Sequence, residues 1–235
     1  MAEQFVLPLT NRPVLDAGSF IVARCNRQAT DFIQRWPDWP SPAAALFGPK
    51  ACGKSHLAKV WADMARANIV SVAELIPALE NKNAAAPIVI EDLDRALPDV
   101  ARDHVLIGLL DRPGASVLLT GRTPPAQWPA ATGDWHSRLQ STIAFQMWSP
   151  DDEFLSALVQ RHFAERQLHA PASVVNHILA HVERTPDAIA EFVHGIDHKA
   201  LSEKRPLSLR LVMEMLGDNE SATSGMYATP ADQQI

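Results

Sequence analysis

The chain has 235 residues, 47% of them apolar and 20% charged, and carries a formal charge of −6 at neutral pH. That length holds one large domain or a medium domain with a small one, and the composition is that of a soluble globular protein. The negative balance excludes broad, sequence-independent nucleic-acid binding, which needs an excess of Lys and Arg facing phosphates; a local basic surface stays open. No apolar run approaches the roughly 18 residues that span a bilayer. Met1 to Leu9 carries Glu3 where a secretory leader begins basic, so a cytoplasmic protein with no membrane partner is expected. Cys25 and Cys52 lack metal-type spacing and read as reduced thiols, and the histidines show no ligand pattern.

In chain order, Gln4-Phe5-Val6-Leu7-Pro8-Leu9 is a short apolar tip, polar at one end and stiffened by proline, which suits docking in an extended form. A short apolar lead-in at Ser19 precedes a helix running on to Trp36, which Pro37, Pro40 and Pro42 break. Ala43 to Phe47 is the first core strand. Gly48-Pro49-Lys50-Ala51-Cys52-Gly53-Lys54-Ser55 follows with the spacing G-x-x-x-x-G-K-S and runs into a helical segment from His56 to Ala67. This is a phosphate-binding loop in its required strand-to-helix setting. Its glycines let successive N–H groups turn inward on a phosphate, and the helix N-terminus, with His56 in its first turn, adds partial positive charge. Lys54 then reaches the β- and γ-phosphates, and Ser55 holds Mg2+.

Asn68 to Val72 reads as a second strand, Ala73 to Leu79 as a short helix, and Pro87 to Asp92 as a buried strand ending in the carboxylates Glu91 and Asp92. A helix over Asp99 to Leu110, a strand over Ser116 to Thr120 and a fifth strand over Thr142 to Met147 follow. Strands alternating with helices predict an α/β fold, a parallel five-stranded sheet flanked by helices. From Ser149 no further strand is legible. Ser149 as N-cap with Pro150 in the first turn starts a helix through Phe154, Leu155, Leu158, Val159 and Phe163. Pro171 opens a second through Val174, Val175, Ile178, Leu179 and Val182, and Thr185-Pro186-Asp187 a third through Ile189, Phe192, Val193, Ile196 and Leu201. Leu207 to Leu216 makes a fourth. The domains read as a docking peptide over 1–15, an α/β nucleotide-binding domain over 16–148, a small helical domain over 149–216, and a tail over 217–235 that is too poor in large apolar residues to fold.

A nucleoside triphosphate site needs a metal and a positioned water beside its phosphate cradle. Glu91 and Asp92 suit both roles if their strand neighbours the phosphate loop, one holding the metal shell with Ser55 and the other orienting water. Thr120, at a strand end, suits contact with the γ-phosphate or the attacking water, although on its own it reads as a strand-end cap. Arg138 in Trp135-His136-Ser137-Arg138-Leu139 can project from the subunit edge towards a neighbour's nucleotide, or be an ordinary surface arginine.

Gly53-Lys54-Ser55-His56-Leu57, Leu118 to Pro125, Ser137-Arg138-Leu139 and Ser149-Pro150-Asp151-Asp152 resemble the AAA+ module of the DnaA family of bacterial replication initiators, over roughly residues 15–216. Ser19 to Val22 with Asn26 is similar to that family's adenine-binding side. DnaA proteins carry a helix-turn-helix DNA-binding domain after the lid, which has no counterpart here, so direct sequence-specific DNA binding is not expected. The likeness is to the short Hda branch, whose sliding-clamp-binding peptide resembles Gln4 to Leu9, with Gln4 in a polar notch, Leu7 and Leu9 in an apolar pocket, and Phe5 a further clamp-binding position. Phe5 and Val6 replace that peptide's Leu and Ser.

The resemblance implies ADP or ATP with Mg2+ as ligands, the sliding clamp and DnaA as partners, and a place in the bacterial cytoplasm at the replisome and nucleoid. The implied activity is negative regulation of replication initiation, by stimulated hydrolysis of DnaA-bound ATP with Arg138 as a finger in trans. Two positions depart from a self-sufficient ATPase. Glu91 stands where DnaA has aspartate, and Asp187 stands where the lid arginine that senses phosphate is placed, two residues after Thr185, with Arg184 just before the cap. Weak hydrolysis by the chain itself is the expectation. An independent AAA+ ATPase or helicase loader, and an adaptor without nucleotide, remain open, as does homo-oligomerisation.

Overall fold

The computed structural model describes residues 20–75 and 86–217, and its chain divides into two compact units, the first ending at Ser149 and the second starting at Pro150. The docking peptide Gln4, Phe5, Leu7 and Leu9, most of the expected helix over Ala73 to Leu79, and the expected tail after Gly217 lie outside the described residues.

In the first unit, α1 (Arg27–Ile33) precedes β1 (Ala43–Phe47) and α2 (Lys54–Ala65). Then come β2 (Asn68–Ser71), β3 (Ile88–Glu91), α3 (Val100–Leu110), β4 (Val117–Gly121), α4 (Gly133–Ser141) and β5 (Ile143–Gln146). All strand pairs are parallel, in the order β2-β3-β4-β1-β5. Alternation along the strands divides the core into two layers. Ala43, Ala45, Ile88, Ile90, Val117 and Leu119 face α3 and α4 through Leu106, Leu109, Trp135 and Leu139. Ala44, Leu46, Val89 and Leu118 face α1 and α2 through Phe32, Leu57, Ala58 and Trp61.

The register corrects one expectation. The strands beside β1 are β4 and β5, so β3, with Glu91 and Asp92, lies one strand further from the phosphate loop, and the end of β4 lies between them. Crossover connections of this length do not fix which parallel strands touch. A further helix that the sequence reading left out, α4, holds Arg138; its N-cap is Thr132, whose hydroxyl accepts from the Trp135 N–H.

The second unit is helical: α5 (Asp152–Ala164), α6 (Ala172–His181), α7 (Pro186–Glu203) and α8 (Leu209–Leu216). Asp151, not Ser149, is the N-cap of α5, accepting from the Phe154 N–H at 2.8 Å. Two cap-forming side chains flank Pro150, and the carboxylate is the one in reach of that N–H. Leu201 also departs from its expected place. It is exposed, and Ala200, one turn after Ile196, takes the buried face of α7. Among the described residues no helix is long and apolar enough to cross a membrane.

Candidate functional site

The loop between β1 and α2 has backbone angles that residues with a Cβ rarely adopt. Gly48 has φ +153° and Gly53, the N-cap of α2, has φ +94°. A Cβ on Gly48 would lie 2.0 Å from the Met147 carbonyl oxygen, so only glycine lets the loop turn against β5. Pro49 and Lys50 are exposed on the outside of the turn, Ala51 has φ +61°, and Cys52 is buried beneath it.

Lys54 is the first residue of α2 and is only 8% exposed. Its Nζ donates to the carbonyls of Gly48 at 2.9 Å and Pro49 at 2.8 Å and approaches the Cys52 Sγ at 3.7 Å. The two oxygen acceptors are backbone carbonyls, and among the described residues no carboxylate forms an ion pair with it. No side chain caps α2, and its first turn holds no acid. A buried cation beside the positive end of a helix that no side chain caps is a favourable place for an anion. The loop therefore fits nucleotide phosphates. Ser55 is exposed at the second position of the helix, and His56 is half-buried with its ring edge-on to Phe20 at 5.1 Å between centroids.

The same edge of the sheet holds Glu91, Asp92 and Thr120. Thr120 is buried in β4, and its hydroxyl accepts the Asp92 N–H at 3.0 Å. That bond steadies Asp92 in a left-handed conformation with φ +52°. Asp92 forms an ion pair with Arg95 at 3.5 Å, with both side chains half-exposed or more. Asp94, which the sequence reading passed over, ties the two strand ends together by accepting the Arg122 N–H at 2.9 Å, and its other oxygen is buried without a hydrogen-bond partner. Among the described residues no three His, Cys, Asp or Glu side chains are grouped to hold a metal alone. Mg2+ in triphosphate sites draws most of its shell from phosphate and water; the residues expected to hold it, Ser55 and Glu91 or Asp92, lie at the start of α2 and the end of β3, with β4 between β1 and β3.

Arg138 belongs elsewhere. It lies in the last turn of α4, which leads directly into the start of β5, so it lies towards the amino edge of the sheet, across the strands from the phosphate loop. Its guanidinium is 35% exposed and pairs with Asp111, which ends α3, at 2.8 Å. At the other end of α3, Arg102 and Asp103 form a buried pair at 2.8 Å. Asp103 also accepts the N–H groups of Ala131 at 2.7 Å and Thr132 at 2.9 Å. Burial alone would push the Asp103 carboxyl up, but bonds from Arg102, Thr132 and Ala131 outweigh it and hold the group below the ordinary carboxylate range. Adjacent Arg and Asp in a helix read in sequence as a solvated face, and neither residue was singled out.

In the helical unit Thr185 caps α7 by accepting the Ala188 N–H at 3.3 Å, and Asp187 lies in the first turn, where a carboxylate complements the helix dipole. Arg184 forms an ion pair with Asp152.

Solved structures give the fold. The chain is similar to domain III of the Thermotoga maritima replication initiation protein DnaA, with 14% identity and a TM-score of 0.71 over 88% of this chain and 97% of that one. AMPPCP-bound DnaA from Aquifex aeolicus matches with 14% identity and a TM-score of 0.67, over 80% of this chain and 66% of that one. The RuvB Holliday junction branch migration motor of Thermotoga maritima matches at 14% identity and a TM-score of 0.60, over 75% of this chain and 61% of that one. No protein-family model and no curated sequence matches the chain. This is an AAA+ P-loop NTPase fold, with a parallel five-stranded sheet flanked by helices.

Proposed function

We propose that this protein is an adenine-nucleotide-binding regulator of replication initiation, which acts on ATP held by a DnaA-type initiator. The observation that carries the nucleotide site is Lys54, buried in the loop, its ammonium held by two backbone carbonyls and, among the described residues, by no carboxylate. Gly48 to His56 hold the phosphates, with N–H groups and the Lys54 ammonium facing them, and Ser55 with Glu91 or Asp92 completes a Mg2+ shell. Bound Mg2+ neutralises phosphate charge. Thr120 keeps Asp92 in place through its N–H. Asp187 stands at the position where the resemblance expects a phosphate-sensing arginine, and slow turnover by the chain alone is part of this reading.

The initiator side of the reading rests on likeness to DnaA structures and on Arg138. An arginine at the amino edge serves a nucleotide bound by another molecule. There its N–H groups meet charge that spreads over the transferring phosphoryl oxygens, an effect worth about 10³ to 10⁵ in rate where arginine fingers operate. Gln4 to Leu9 tether the protein to the sliding clamp, whose loading on DNA limits the activity to replicating chromosomes.

The test is loss of labelled ATP prebound to DnaA, with sliding clamp loaded on DNA. Wild-type protein accelerates it, whereas Arg138→Ala and a chain lacking Gln4 to Leu9 do not. Unchanged DnaA-bound ATP overturns the reading. Turnover by this protein alone, abolished by Lys54→Ala, then favours an independent ATPase or helicase loader. Absence of adenine-nucleotide binding favours an adaptor.

A further inference from the structure

The geometry points to Asp111 as the positioning residue for Arg138, an inference that rests on the reading of Arg138 as an arginine acting on a partner's ATP. Asp111 is the C-cap of α3, where the carboxylate faces the negative end of the helix dipole. Local stability favours a cation at that place. The pair it forms with Arg138 is short, 2.8 Å, but the side chains are 35% and 55% exposed, and exposed pairs contribute little to folding. An acid that is locally unfavourable and globally of small effect needs another reason to be there. Among the described residues, its side chain pairs with the Arg138 guanidinium.

Both ends of the pair are fixed. Leu106 and Leu109 of α3 and Trp135 and Leu139 of α4 share one buried cluster, so the two helices cannot slide apart without opening the core. The Arg138 carbonyl accepts the hydroxyls of Ser141 at 3.0 Å and Thr142 at 2.8 Å, which secures the backbone under the side chain. Asp111 approaches NH1 of the guanidinium, at 2.8 Å. Arginine has five N–H groups in a planar fork, more than one carboxylate can engage, so the fork keeps donors for phosphoryl oxygens while Asp111 holds it. Asp111 thus restricts a long, rotamer-rich side chain to one direction before the partner arrives, and that lowers the entropy lost at the transition state.

The experiment compares wild type, Asp111→Asn, Asp111→Glu, Arg138→Ala and the double variant Arg138→Ala/Asp111→Asn in the clamp-dependent assay of DnaA-bound ATP, each titrated to saturation. Melting temperatures are read in parallel. The expected result is a drop of about fivefold in the maximal rate for Asp111→Asn at unchanged half-saturation, with Asp111→Glu recovering to within about twofold. The double variant matches Arg138→Ala, and melting is unmoved. If Arg138→Ala removes stimulation while Asp111→Asn keeps or exceeds the wild-type rate, or alters only half-saturation, the positioning role is wrong and the functional reading survives. If Arg138→Ala stimulates as well as wild type, both fall.

Discussion

Two helices on opposite faces of the sheet begin with a buried cation, and they treat it in opposite ways. Arg102, in the first turn of α3, has Asp103 at 2.8 Å, and its helix is capped by Asp99, which accepts the Arg102 N–H. Lys54, at the start of α2, has two carbonyls and a thiol, no cap and no acid in the first turn. Both cations sit at the helix end where the dipole opposes them. At α3 the chain supplies the counter-charge from within and the result is a joint between the helix and the loop before α4. At α2 the counter-charge is left to a ligand. A fold thus distinguishes a structural charge from a functional one by whether the compensation is internal.

Removing that internal compensation gives the largest expected effect. Asp103→Asn leaves Arg102 buried and unpaired and lowers stability by about 3–5 kcal/mol, measurable by urea unfolding. The wild-type pH profile reports the same group. Because the folded Asp103 carboxyl is held below its unfolded range, its contribution is complete above that unfolded range. It is lost as pH falls from there through the depressed folded value, so unfolding curves for wild type and Asp103→Asn converge in acid. Convergence near neutrality would contradict the pairing.

Lys54→Met is the converse. It removes a cation that lacks a counter-charge, so stability stays within about 1 kcal/mol of wild type or rises. Binding of a fluorescent ATP analogue is lost, together with the thermal stabilisation of about 2.7 kcal/mol expected for wild type at a hundredfold excess of nucleotide over Kd. A large destabilisation would mean that Lys54 is a structural charge after all. The smallest effect belongs to the exposed pair: Arg138→Ala changes stability by less than about 1 kcal/mol, less still in high salt, as calorimetry with and without added NaCl will read.

Much of this was legible in the residues. Ala43 to Phe47, Ile88 to Ile90 and Val117 to Leu119 are unbroken apolar runs, as strands covered on both faces require. Gly48 to Ser55 declared itself by spacing and setting together. The order of the strands was not legible, because a hydrophobic run carries no mark of its neighbour, and β4 came between β1 and β3. Arg102 and Asp103 were hidden because their partners, the carbonyls of Leu97 and Pro129 and the N–H groups of Ala131 and Thr132, are backbone groups that no side-chain pattern announces. The helix α4 did leave a signal, a Thr132 cap with Trp135 and Leu139 four residues apart, but its other positions are polar and a Gly opens it.

The placement of Arg138 and the phosphate loop at opposite edges of one parallel sheet gives the molecule a direction. Two copies related by a two-fold axis bring like surfaces together, so such a pair cannot set the arginine of each against the loop of the other unless one surface includes both. Any contact that uses one edge to address the other is head-to-tail, leaves a free arginine at one end and a free loop at the other, and so has a leading and a trailing member. On the proposed reading of Arg138, a molecule added to such a row lends its arginine or receives one according to which end it joins, so the order of arrival sets which nucleotide is addressed.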